Sequence, residues 1–155
     1  MRIIFAKLSD DRHTLEIVRE GGARERVECE TRSYLTHDLL HYAVEREAGL
    51  QGGFWGLLAQ GKSLADMNDR TGAAMNGQAP DLAAIEQVVG ALSGTVKGRS
   101  AADLVAGMRR FAESLETAMP EWLTEELVRG VEERMRQLLG RWRATPFGAV
   151  MELGW

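Results

Sequence analysis

The hydrophobic period of this chain changes near residue 31 and again near Pro146, and those two changes constrain the fold more than any single motif. Residues 2 to 8, 13 to 20 and 24 to 31 are rich in β-branched side chains and are separated by turn-formers, Ser9-Asp10-Asp11 and Gly21-Gly22. That is the pattern of an antiparallel meander. In the second segment His13, Leu15 and Ile17 share one face. In the third Val27, Cys29 and Thr31 share a face, with Glu28 and Glu30 on the other. The first segment sets Ile3 and Phe5 against Ile4, Ala6 and Leu8, so it is apolar on both sides and belongs in the interior of the sheet. After Pro146 the tail from Phe147 to Trp155 alternates again and predicts a fourth strand that joins the N-terminal three.

Between these strands the period is helical. From about Leu35 to Ala48, Leu39, Leu40, Ala43, Val44 and Ala48 form one apolar stripe that Gly49 stops. A short aromatic helix is expected around Phe54-Trp55-Gly56-Leu57-Leu58, between a glycine pair and Gly61. Residues 68 to 80 carry almost no large apolar side chain and read as a mobile loop. Three further helices have start signals: Asp81 after Pro80, Ser100 with Asp103 three residues on, and Pro120 at a first-turn position. The expected architecture is α+β: a three-stranded antiparallel meander joined by a C-terminal strand and packed against four to five helices, as a single domain over 1–155.

At 155 residues, 45% hydrophobic and 27% charged, the chain can bury a core without disulfide or structural metal. Its net charge of -4 gives no electrostatic reason to seek nucleic acid or an anionic membrane. Neither is expected as a partner. No apolar run reaches the length of a membrane span or a signal peptide, and the single cysteine cannot form an internal disulfide, so a cytoplasmic protein is expected. Homo-oligomerisation through the long helix from Trp122 to Trp142, or through an edge strand near Trp155, is the association the sequence leaves open.

Chemistry is concentrated in Thr36-His37-Asp38-Leu39-Leu40-His41, which holds two of the three histidines. Side chains at i and i+4 project from one side of a helix about 6 Å apart, close enough to share a metal such as zinc. His37 and His41 fall on the shoulder of the apolar stripe, with Asp38 and Glu45 further round. Asp38 and Glu45 are therefore the candidate general bases or partners of the ligands, and His37 and His41 the candidate metal ligands. Glu45 lies roughly 12 Å from His37 along the axis and cannot join both histidines on one ion. A third ligand has to come from elsewhere, and His13, Glu28, Glu30 and Cys29 are the nearest in sequence. Taken alone, Glu45 reads as a solvated helix residue. Phe54 and Trp55 read first as core and second as a wall for ligand binding. Cys29 reads as buried and inert, and Arg134, Arg136, Arg141 and Arg143 as the wet side of a helix.

His37-Asp38-x-x-His41 resembles the opening of the zinc motif of a family of ubiquinone-biosynthesis proteins. That family has a glutamate twelve positions after the second histidine, where this chain has Gly53. The wider layout, His-Asp-Leu-Leu-His followed by Gly53-Phe54-Trp55-Gly56, Trp142 and a terminal strand, is similar to a group of small bacterial proteins, a resemblance that implies a layout and no activity. Two functions follow from the residues. The first is a non-catalytic binding or protein-interaction domain. The alternative is a metal-dependent hydrolase or lyase built on the His37–His41 turn.

Overall fold

The alternating N-terminal segments form three antiparallel strands, β1 (Arg2–Lys7), β2 (Arg12–Val18) and β3 (Arg24–Glu30). A fourth, β4 (Val150–Gly154), pairs with β1, so the order across the sheet is β3-β2-β1-β4. The computed structural model describes residues 1–67, 80–95, 100–116 and 118–155. β1 is interior, as its two apolar sides require: Phe5 lies opposite Leu15 on one flank and Met151 on the other. Ile3, Phe5, Leu15, Ile17, Met151 and Leu153 are buried on the inner face. The outer face carries cross-strand ion pairs, Arg2–Glu152, Arg12–Glu28 and Arg24–Glu16. A sheet dry on one side only is covered by helices on that side. The terminal strand is shorter than its alternation suggests, because Phe147 and Gly148 make a turn and the Phe147 side chain is exposed.

A single wide π-helical turn, Thr31–Leu35, leads from β3 into α1 (Thr36–Ala48). Then follow α2 (Phe54–Ala59), α3 (Leu64–Met67), α4 (Pro80–Thr95), α5 (Ala101–Ser114) and α6 (Glu125–Ala144). The start signal of α5 is a reciprocal capping box between Ser100 and Asp103. That of α6 differs from expectation: Pro120 is not in its first turn. Thr124 caps the helix instead, its hydroxyl accepting from the Leu127 amide at 3.1 Å, while Leu123 is buried ahead of it. The expected mobile loop over 68 to 80 lies outside the described residues except for Pro80, which opens α4.

The packing of α1 decides what this chain can hold. Leu39 and Tyr42 belong to a core shared with the sheet, α2 and the end of α6, centred on Phe5, Trp55 and Trp142. Leu40, Ala43 and Val44 belong to a second core with α4, α5 and the start of α6. The helix is therefore buried on two sides, not along the one stripe that its sequence period reveals. Between the two apolar faces runs a row at i, i+4 and i+8: His37, His41 and Glu45.

Candidate metal centre

Each residue of that row meets a different cover. His37, nearest the helix start, is half-exposed, whereas His41 is 1% and Glu45 0% exposed. A buried carboxylate requires compensating donors, and Glu45 has three. Its Oε2 accepts from the backbone amides of Trp55 (3.0 Å) and Gly56 (3.2 Å), and its Oε1 lies 3.3 Å from Nδ1 of His41. The solvated place expected for Glu45 is therefore corrected: the start of α2 closes over it, and the side chain is fully buried.

This is the structural reason for Gly53-Phe54-Trp55-Gly56. A Cβ on Gly53 would stand 2.2 Å from Cδ of Glu45, and one on Gly56 would stand 2.2 Å from the Gln51 carbonyl oxygen. Only glycine lets the α2 backbone approach closely enough to donate to the carboxylate. Trp55 is fully buried, with its indole N–H donating to the Asp38 carbonyl at 3.0 Å, so it is core and not a ligand wall. Phe54 is half-buried and packs its ring against His41, centroids 5.8 Å apart.

The third group is Glu86 on α4. Its Oε1 is 3.3 Å from Nε2 of His41, and its Oε2 is 3.9 Å from Nε2 of His37. One ligand atom from each of His37, His41 and Glu86 can be chosen so that all lie within 4.8 Å of one another. Donors bound to one zinc ion at its usual bond lengths lie roughly 3–3.5 Å apart. Nε2 of His41 is buried 3.3 Å from a Glu86 carboxylate oxygen and has no other hydrogen-bond partner among the described residues. Burial lowers the basicity of His41, but the Glu45 and Glu86 carboxylates at its two nitrogens more than reverse that, and its pKa is pushed up to about 9. The same imidazolium, with burial working the other way, draws the Glu86 carboxyl below its ordinary value.

None of the four residues near in sequence joins this cluster. His13 is buried on the sheet between Phe5 and Trp142, with Nδ1 3.2 Å from the Thr31 hydroxyl. Glu28 pairs with Arg12, Glu30 accepts from the Ser33 hydroxyl, and Cys29 is half-buried on the strand, where burial raises its thiol. Asp38 is buried beside the site, Oδ1 3.7 Å from Nδ1 of His37.

No family model, curated protein or solved structure matches this chain. Among the described residues no helix is long and apolar enough to cross a membrane.

Proposed function

We propose that this protein binds one divalent transition-metal ion, zinc being the first to test, through His37, His41 and Glu86. We further propose that it uses the ion in hydrolase or lyase chemistry. The observation that carries the reading is the relay behind His41: two backbone amides fix Glu45, Glu45 holds Nδ1, and Nε2 faces Glu86 and His37. A carboxylate that accepts from the far nitrogen of an imidazole selects the tautomer whose other nitrogen can ligate, and it raises ligand basicity. Burying such a pair carries a desolvation cost, and a metal site gives it a role that packing alone does not require. Two imidazoles and a carboxylate suit zinc or ferrous iron and leave coordination positions free. Such an ion supplies Lewis acidity and lowers the pKa of bound water. Glu45, held by three donors, positions His41. Asp38, beside His37, is the carboxylate left to accept a proton.

The test is zinc titration against a competing chelator on the wild type, His37→Ala and Glu86→Gln. His37 is about half exposed, so His37→Ala should keep wild-type stability within about 0.5 kcal/mol, whereas Glu86→Gln removes a carboxylate 3.3 Å from buried His41 and should cost about 1–2 kcal/mol, with both variants expected to fold. One zinc per chain in the wild type, weakened at least about tenfold in each folded variant, is the expected result. Stoichiometric binding that neither variant weakens, or no binding at all, refutes the reading.

A further inference from the structure

Beside the histidine row lies a cavity of about 760 Å³, bounded by the π-helical turn, α1, α4, α5 and α6. Leu40, Leu92, Leu104, Val131 and Met135 are among its lining residues, and the first four are buried side chains of the second core. His37 belongs both to this lining and to the candidate metal set. The volume falls within the range of small-molecule sites, and such sites are apolar with a few placed polar groups. Here the charged groups on the lining are the guanidiniums of Arg32 and Arg136 and the carboxylate of Glu132, with His37 beside them.

Resting on the metal reading above, we propose that this cavity takes a single-chain amphiphile with a carboxylate head, tail among the leucines and head at His37 and its metal. Besides its charged groups the lining has only the hydroxyls of Ser33, Thr36 and Ser93 as polar partners, and its aliphatic and methionine side chains would leave most of a sugar, nucleotide or peptide backbone unpaired. A hydrocarbon chain loses nothing there and gains by its burial. At His37 a divalent cation favours an anionic oxygen over a neutral one, while the guanidiniums of Arg32 and Arg136 are already engaged by Asp11 and Glu133. A substrate of this class is a medium-chain acid or its derivative.

The test measures binding of dodecanoate and 1-dodecanol by calorimetry and native mass spectrometry, below the concentration at which either aggregates, on zinc-free and zinc-loaded protein. Zinc content is measured separately on every sample. Leu104→Trp and Leu139→Trp fill the cavity from two sides, so the question survives if one of them fails to fold. The expected result is one dodecanoate per chain, bound about tenfold more tightly with zinc than without and more tightly than dodecanol. It should be lost in the tryptophan variants, which still carry zinc. Zinc bound but dodecanoate not bound overturns this inference and leaves the metal reading standing. Dodecanoate bound equally with and without zinc, or unaffected by both tryptophans, overturns it as well. Failure of the wild type to bind zinc removes the metal reading and the head-group contact together.

Discussion

Glu45→Gln separates orientation from bulk. The wild-type carboxylate gives one oxygen to two backbone donors and the other to Nδ1 of His41. Glutamine has the same shape but only one oxygen. The Trp55 and Gly56 amides claim that oxygen, since turning the NH2 toward them would set donors against donors. The NH2 then faces Nδ1, which must accept and so give up its proton, and the one proton of the neutral imidazole sits on Nε2, the atom that would have to bind the metal. Zinc affinity should fall by about 10–100-fold, or ~1.4–2.8 kcal/mol, the usual effect of removing the partner of a metal-bound imidazole. Stability of the metal-free protein should fall by about 1–2 kcal/mol, because charge-assisted bonds become neutral ones. Chelator competition reads the first quantity and urea unfolding the second. A Glu45→Gln protein that folds and holds zinc as tightly as the wild type refutes the tautomer argument.

Gly53→Ala should destabilise the fold by about 1–3 kcal/mol, because its Cβ would meet the Glu45 carboxylate at 2.2–2.7 Å; urea unfolding checks this, and a neutral effect would mean that α2 can retreat without loss. In the metal-free protein the two buried histidines should limit stability at opposite ends of the pH range. His41 is more basic folded than unfolded, so its contribution is complete below about 6.5 and is lost as pH rises toward about 9. His13 is less basic folded than unfolded, chiefly through burial, so stability is lost as pH falls below about 6.5. Thermal unfolding across this range should show both limbs, and His13→Phe should flatten the acid one alone.

Much of the fold is legible in the period of the side chains, because a half-buried strand writes its burial into every second residue. Phe5, Leu15 and Met151 are each readable as inward-facing, and the double-sided β1 segment is readable as interior. The capping box at Ser100 is local chemistry and is read directly, whereas Pro120 misleads because the Thr124 hydroxyl offers a better first-turn acceptor four residues on. Glu86 shows what one-dimensional reading misses. It shares the Leu82 and Val89 side of α4, close to the apolar stripe that packs on α1, and that shoulder position is the only hint the sequence holds of its meeting with His41.

The sequence by itself determines the α+β layout, the interior place of β1 and the juxtaposition of His37 with His41, since each follows from spacing along one element. Tertiary structure decides that Glu45 is buried, that Gly53 and Gly56 hold the α2 amides on it, and that Glu86, not a strand residue, closes the cluster. The reason is geometric. A helix packed between two cores has faces that its own hydrophobic period does not distinguish, and a carboxylate on a distant helix reaches a histidine only through the packing of α4 against α1.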